Sequence, residues 1–217
     1  MDKFRIRRIF ILFLGILLIS INFIPLYIPK IVENKIISST KKNYSIANNN
    51  YYRLFDLKNK YYILYQDKED NYDANLYDLE HIYCLSWVND NQTKLYDPFN
   101  LRLSLKIVNS TRGNNYFGNI KNKDKAKKII YNQEIVGYID YTNKIFEPVY
   151  DKGDIARAIL YMHTVYSLPY PYISTMREWA IKYKPQEDEI HHYKKVISQT
   201  NQNNILINKY YLSRFII

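Results

Sequence analysis

The sequence contains a single cysteine, Cys84, and only five glycines. One cysteine excludes any intramolecular disulfide, so the fold must be held together by its core alone. The redox state of the compartment stays open, because a domain without disulfides can be stable on either side of a membrane.

Glycine and alanine are scarce, whereas tyrosine, asparagine, lysine and isoleucine are used heavily, with 24 tyrosines in the chain. This bias is typical of AT-rich coding sequence. We therefore interpret the tyrosines as a compositional feature and not as a platform for base stacking.

The length and charge allow one globular domain plus a leader. The 217 residues are 47% hydrophobic and 24% charged, with a formal net charge of +10, within the range of globular proteins. Residues 1–35 hold six basic and two acidic residues, which leaves 25 basic and 19 acidic residues, or +6, for the remainder. This surplus favours a polyanionic partner without requiring one.

The N-terminus carries a segment suited to a membrane. Residues 1–8 form a basic flank, and residues 9–28 are almost continuously apolar, about 20 residues and so long enough to cross the hydrocarbon core. The arginines before this segment favour a cytosolic N-terminus, with the rest of the chain on the far side. An uncleaved signal-anchor is favoured because poor cleavage residues follow Pro25. A cleaved signal peptide, which would make the protein secreted, is one alternative. A buried helix of a soluble protein is the other, although the flanking charges fit membrane insertion better.

A polar linker, residues 29–50, precedes a folded domain at residues 51–217. Helical spacing predicts one helix from Lys152 and a second after Pro185. The first would pack through Ile155, Ile159, Met162 and Tyr166, and the second through Ile190, Tyr193 and Ile197. Two β-prone runs between residues 129 and 146, which flank Gly137 and then Asn143, predict hairpin strands, and the lysine-rich residues 121–128 predict a basic loop.

Four motifs hold the polar residues of interest. They are Glu80-His81 with Ser86-Trp87; Asp97-Pro98-Phe99-Asn100-Leu101 with Val108-Asn109-Ser110-Thr111-Arg112-Gly113-Asn114; Phe146-Glu147-Pro148 with Lys152-Gly153-Asp154-Ile155-Ala156-Arg157; and Gln199-Thr200-Asn201-Gln202-Asn203. In this order they resemble the endonuclease I family, one of the His-Me finger (ββα-metal) nucleases, over about residues 75–207. The resemblance implies an α+β fold with a ββα-metal core and additional helices. It also implies a metal-dependent, non-specific endonuclease that leaves 5′-phosphate ends on DNA, with RNA as a further substrate.

The resemblance also implies a role for individual residues. His81 would be the general base, since a histidine with an ordinary pKa near 6.5 is mostly neutral at working pH. Glu80 and Asn109 would bind one divalent metal ion. Mg²⁺ suits a few oxygen ligands best, with Mn²⁺ and Ca²⁺ as alternatives. Arg112 or Arg157 would hold a phosphate oxygen. For Arg157, which lies opposite the apolar stripe of its predicted helix, a solvated arginine is the alternative.

The chain departs from the family pattern at several positions. Cys84, Leu103 and Asn204 stand where the family has proline, and Phe99 stands where it commonly has histidine. Whether activity is retained with these changes stays open. We interpret Cys84 as a core thiol and not as a nucleophile.

One segment gives conflicting signals. Leu101, Leu103 and Leu105 alternate with polar residues, which indicates a strand. The resemblance instead implies a strand ending near Leu103 and a helix carrying Asn109. We follow the resemblance, with Ser104 as the N-cap.

The other histidines and one acid have plainer interpretations. His191 and His192 are adjacent on a predicted helix, so they diverge by about 100° and we expect both at the surface. His163 is expected to be packed or partly exposed, and Asp154 to be a first-turn acid.

Two rival functions remain: a nucleic-acid-binding module with poor catalysis, and a membrane-tethered structural protein.

Overall fold

The protein is described here from a computed structural model, which covers residues 56–57, 60–66, 69–70, 73, 75–89 and 95–200. The predicted basic flank, membrane segment and polar linker lie outside these residues, as do the last three residues of the fourth motif. Within the described part, no helix combines the length and the apolar character needed to cross a membrane.

The described chain opens with a small antiparallel sheet. Its strands are β1 (Asp56–Leu57), β2 (Lys60–Tyr62) and β3 (Glu69–Asp70), with β2 in the centre. Leu64 then forms a parallel bridge to Ser104, and its amide donates to the Leu103 carbonyl at 2.8 Å. This bridge brings the following residue, Tyr65, to the interior.

Two strands and a helix form the unit that matters most for function. Strand β4 (Tyr77–His81) pairs antiparallel with β5 (Leu101–Leu105), and helix α1 (Lys106–Arg112) follows β5 without an intervening residue. In this register Glu80 lies opposite Arg102. The predicted ββ-then-α order is therefore present.

The boundary between β5 and α1 corrects one prediction. The strand runs through Leu105, and Ser104 lies inside it, so Ser104 is not the N-cap. The alternating leucines decide this boundary, because all five residues of β5 are buried and β5 is bridged on both sides. The helix that carries Asn109 and Arg112 is confirmed.

A third sheet contains four strands in the order β6-β9-β8-β7. They are β6 (Tyr116–Phe117), β7 (Lys127–Tyr131), β8 (Glu134–Asp140) and β9 (Ile145–Pro148). Hairpin strands are present as predicted, and Asn143 lies between the paired strands β8 and β9. The other turn is corrected: it lies not at Gly137 but at Asn132 and Gln133, in left-handed conformations, φ 48° and 67°. Gly137 lies inside β8, where an added Cβ would be only 2.6 Å from the Phe146 ring.

Three longer helices complete the fold: α2 (Lys152–Tyr166), α3 (Ile173–Lys182) and α4 (Glu187–Thr200). Both predicted helices are confirmed, and Ile155, Ile159 and Met162 are fully buried along α2. Helix α3 was not predicted. Helix α4 packs through Tyr193 and Val196, whereas Ile190 is only half-buried. The described residues thus confirm the α+β class.

Candidate active site

Glu80 is the central acid of the candidate site. Its side chain is fully buried and forms an ion pair with Arg112 through Oε1. The Tyr65 hydroxyl donates to the same oxygen at 3.0 Å. The other carboxylate oxygen, Oε2, is also buried and has no hydrogen-bond partner among the described residues. An unpartnered carboxylate oxygen of this kind is the position at which a cation would bind.

Burial dominates the electrostatics of Glu80. Removal from water raises the pKa of its carboxyl from 4.5 to about 7, with Asp78 adding to the rise while Arg112 and Tyr65 oppose it. The same burial raises the pKa of Tyr65 well above its ordinary value, so the hydroxyl keeps its proton and remains a donor. The site therefore holds an acid that is readily protonated near neutral pH.

Arg112 is engaged by protein groups, although its buried Nε has no hydrogen-bond partner among the described residues. Its Nη2 donates to the His81 carbonyl at 3.0 Å in addition to pairing with Glu80. The guanidinium also lies 5.0 Å from the centre of the Phe117 ring and 5.7 Å from that of Trp87. Since the side chain is only 2% exposed, it orders Glu80 and does not face solvent as a phosphate ligand would.

Asn109 lies three residues before Arg112 on α1 and also contacts β4. Its Nδ2 donates to the Asp78 carboxylate at 2.8 Å and to the Leu79 carbonyl at 3.4 Å. Asn109 and Arg112 are three residues apart on α1 and share one face, while Asp78 and Glu80 are two apart on β4 and share another. Helix α1 therefore places the Asn109 amide against Asp78 and the Arg112 guanidinium against Glu80.

His81 is separate from this cluster. Its ring packs edge-on against Tyr96, with centroids 5.1 Å apart. Within the described residues no hydrogen bond joins the ring to Glu80 or Asn109, and its buried Nε2 has no partner. Burial, reinforced by the Arg112 charge, lowers the pKa of His81 from 6.5 to about 4. The imidazole is consequently neutral at pH 7, as a general base must be.

The donor atoms near Glu80 suit a hard cation. In the part of the chain that is described, no three or more acidic, histidine or cysteine side chains converge as a metal site. Mg²⁺ needs fewer protein ligands, because it keeps several waters. The Glu80 and Asp78 carboxylates and the Asn109 amide offer oxygen donors only, and one Glu80 oxygen is unpartnered. These residues fit Mg²⁺ in donor type.

Arg157 lies elsewhere, inside the helical layer. It is 1% exposed, forms a two-pronged ion pair with Glu189 on α4 and donates to the Tyr183 carbonyl at 2.7 Å. These partners take most of its donors, so the structure gives it a bracing position and not the phosphate-binding or solvated position predicted for it.

The rest of the third motif braces the same region. Asp154 is a first-turn acid as predicted, and it also receives two hydrogen bonds from Arg102 on β5, at 2.6 and 2.8 Å. Lys152 donates to Glu147 at 2.7 Å. Gly153 is required because an added Cβ would lie 2.3 Å from the Tyr183 carbonyl oxygen. The motif thus joins β5 and β9 to the helices.

The first residue of the second motif, Asp97, also links parts of the core through hydrogen bonds. Asp97 accepts from the Phe99 amide at 2.9 Å and from the hydroxyls of Tyr161 and Tyr166 on α2, at 2.9 and 2.5 Å. Phe99 is fully buried, with its ring centre 5.0 Å from that of Tyr161. The departure from histidine therefore places an apolar ring in the core.

The remaining histidines and Cys84 give mixed outcomes. His192 is 2% exposed, so the prediction that it lies at the surface is wrong. His163 is partly exposed as predicted, and its ring contacts the Leu168 carbonyl at 2.7 Å. Cys84 is only half-buried, with Sγ 3.2 Å from the Ser86 hydroxyl, and so lies at the edge of the core.

Two residues of the site were missed in the sequence. Asp78 has the same strand periodicity as Glu80, and that spacing could have identified it. Tyr65 lies 15 residues before Glu80, in a segment with no motif. Its contact depends on the bridge between Leu64 and Ser104, for which we find no local signal.

Comparison with known proteins gives one match. No curated protein matches the sequence. The family model described as Endonuclease I matches residues 30–209, which include every described residue and most of the chain. The confirmed unit of β4, β5 and α1 agrees with this match. The chain belongs to the endonuclease I family, and its membership supports a nuclease function with nucleic acid as the substrate.

Proposed function

We propose that this protein is a Mg²⁺-dependent endonuclease that hydrolyses phosphodiester bonds of DNA without sequence preference and leaves 5′-phosphate ends. RNA is a second possible substrate. The observation that carries the proposal is the unit of β4, β5 and α1, in which Glu80 has a buried, unpartnered oxygen beside the helix that presents Asn109.

Glu80 and Asn109 are the proposed metal ligands, through Oε2 and the amide oxygen. When bound, Mg²⁺ would stabilise the negative charge that develops on the phosphate and on the departing 3′ oxygen. Mn²⁺ or Ca²⁺ could take its place with the same donors. The role we assign to Arg112 is to fix Oε1 of Glu80 through their ion pair, which leaves Oε2 for the cation.

His81 is the proposed general base. A neutral imidazole can accept the proton of the attacking water, and the lowered pKa of about 4 keeps the ring neutral throughout the physiological range. Arg157 is not part of the proposed site, since its guanidinium is engaged by Glu189 and two backbone carbonyls.

The lysine-rich residues 121–128 support a polyanionic substrate. They are not all in a loop as predicted, since Lys127 and Lys128 lie in β7. The five lysines at positions 121, 123, 125, 127 and 128 are all exposed. Lys123 reaches Glu147 at 2.8 Å, and Lys127 lies over the ring of Tyr141. The other three are available for phosphate contacts, which carry no sequence information and so suit non-specific binding.

A second candidate function is a nucleic-acid-binding domain with weak catalysis. The observation that favours it is that Glu80 is closed in a buried ion pair while the His81 ring packs against Tyr96. Metal-dependent cleavage separates the two functions. Binding that falls steeply with salt, without any product, would support the second.

The decisive experiment uses the full chain purified in detergent and incubated with plasmid DNA in Mg²⁺ or in EDTA. We expect cleavage only with Mg²⁺, and a loss of about 10²–10⁴-fold in turnover for His81→Ala. His191→Gln, a partly exposed histidine on α4, is the matched control and should cleave like the unaltered protein. An unchanged rate for His81→Ala would refute the assigned base.

The place of action is also a proposal. Residues 9–28 would anchor the protein in a membrane with the nuclease domain on the non-cytosolic side. Protease added to intact cells should then digest the domain. If leader cleavage releases it instead, the mature protein will be found in the medium.

A further inference from the structure

We propose that Asp78 is a positioning residue that turns the amide oxygen of Asn109 toward the cation. The inference rests on the proposed metal site at Glu80 and Asn109. It concerns a residue that lies outside the motif pair Glu80-His81 and has no role in the function proposed above.

The contacts of Asn109 carry the inference. Its Nδ2 has two acceptors on β4, the Asp78 carboxylate at 2.8 Å and the Leu79 carbonyl at 3.4 Å. Nδ2 has two hydrogens, and both are directed at the strand. The amide oxygen, at the other end of the planar group, is therefore turned away from Asp78.

Asp78 is itself held in place. It lies directly opposite Ser104 in the pairing of β4 with β5, and the Ser104 hydroxyl donates to the same Oδ1 at 3.4 Å. A cross-strand hydroxyl and the helix amide thus meet at one oxygen, and the same hydroxyl lies 3.4 Å from the Asp78 carbonyl. A carboxylate fixed in this way defines a single orientation for the amide.

The orientation matters because the two ends of an amide are chemically opposite. The oxygen can bind a cation, whereas an NH₂ group presents hydrogens and repels it. Without an acceptor at position 78 the amide could rotate by half a turn and present nitrogen to the metal. Partners that orient a metal ligand commonly change metal affinity by about 10- to 100-fold.

Asp78 could act in another way, as a direct ligand or through its charge. Asp78→Asn separates positioning from charge attraction, because its amide oxygen still accepts from Asn109 but the negative charge is gone. Asp78→Leu, of similar size, removes the acceptor altogether. Since an amide oxygen at position 78 is also able to bind a cation, direct ligation is separated by an Asn109→Asp background, in which the loss of a direct ligand at position 78 would still weaken binding.

The test measures Mn²⁺ binding to the full-length protein by electron paramagnetic resonance titration, with no substrate present. We expect Asp78→Leu to weaken binding about tenfold, and Asp78→Asn to stay within about threefold of the unaltered protein. Circular dichroism checks folding, and Asp78→Ala replaces Asp78→Leu if the latter does not fold.

The same substitutions at position 78, made in a protein that also carries Asn109→Asp, form a second background that makes the test specific to orientation. Asn109→Asp has two equivalent oxygens, so it cannot be misoriented. In this background removal of the Asp78 acceptor should no longer weaken Mn²⁺ binding. An equal loss in both backgrounds, an unchanged affinity for Asp78→Leu, or a loss in Asp78→Asn as large as that in Asp78→Leu would each overturn the proposal.

The failure of the proposed metal site would look different. Asn109→Ala tests that site directly. If it binds Mn²⁺ as the unaltered protein does, the ligand assignment fails and the role of Asp78 fails with it. If Asn109→Ala loses binding while Asp78→Leu does not, only the positioning role is overturned.

Discussion

Glu80 and Arg112 form an ion pair that is removed from solvent, with side-chain exposures of 0% and 2%. The motifs predicted separate roles for them, one on the metal and one on the phosphate. Their pairing makes the arginine a fixed countercharge for the acid. The loss of such a partner from a buried acid strongly destabilises a protein, so the pair ties the proposed metal ligand Glu80 to the stability of the ββα unit.

Metal affinity should depend on pH through Glu80. Burial raises the pKa of this carboxyl to about 7, so below pH 7 a proton competes with the cation. We expect the Mg²⁺ affinity measured by calorimetry to rise up to about tenfold per pH unit between pH 5 and 7 and to level off above pH 7. His81 should not add to this change, because its pKa lies near 4. Glu80→Gln is the control and should lose both the binding and its pH dependence.

Tyr65 should affect the same titration. Its hydroxyl donates to Glu80 Oε1 and thereby lowers the pKa of that carboxyl. Tyr65→Phe removes the donor, so the pKa of Glu80 should rise further and the pH midpoint of Mg²⁺ binding should move upward. Hydrogen bonds to charged groups contribute about 1.5–3 kcal/mol. Because the carboxyl of Glu80 is already half protonated at pH 7, this corresponds to roughly 7- to 80-fold weaker binding at that pH. Tyr138→Phe, on β8, should bind Mg²⁺ normally, and identical midpoints for the two variants would contradict the assignment.

The loop before β7 and the start of that strand, which carry the exposed lysines of residues 121–128, should set the salt dependence of nucleic-acid binding. Lys125 and Lys128 are exposed, and each phosphate contact contributes about 0.9 to the slope of log affinity against log salt. Changing both to alanine should lower the slope by about 2 and weaken binding to all sequences alike. Lys194→Ala, an exposed lysine on α4, is the control. Fluorescence anisotropy with a DNA duplex measures both quantities, and an unchanged slope would exclude the loop.

Local patterns predicted most of the secondary structure. Helices α2 and α4 and the hairpin of β7 and β8 follow from apolar periodicity and from first-turn acids, which depend only on neighbouring residues. Helix α3 was missed because its buried residues Met176, Trp179 and Ala180 form a narrow face among exposed polar ones. The end of β5 was predicted near Leu103, where the motif implied that the strand gives way to a helix. The strand continues to Leu105, because its alternating leucines are buried in the core.

The candidate site was predictable only in part. The motif residues were identified, but their partners come from tertiary structure, as the bridge at Leu64 shows for Tyr65. The same limit applies to the arginines: a sequence gives the spacing of Arg112 and Arg157 but not the acid that each one meets. Burial then decides the role, since an arginine enclosed with a carboxylate is not available to a phosphate.

Arg157 gives the sharpest test of that distinction. It joins α2 to Glu189 on α4 in a pair with exposures of 1% and 3%. Arg157→Met leaves the Glu189 carboxylate buried without its countercharge, so we expect a loss of about 3–5 kcal/mol in the free energy of unfolding by urea. The double variant Arg157→Met with Glu189→Leu should recover most of that loss, because no unpaired charge then remains. DNA cleavage per folded molecule should be unchanged in both. If Arg157→Met instead keeps its stability but loses cleavage, the residue acts on the phosphate after all, and the helical layer must open to let it do so.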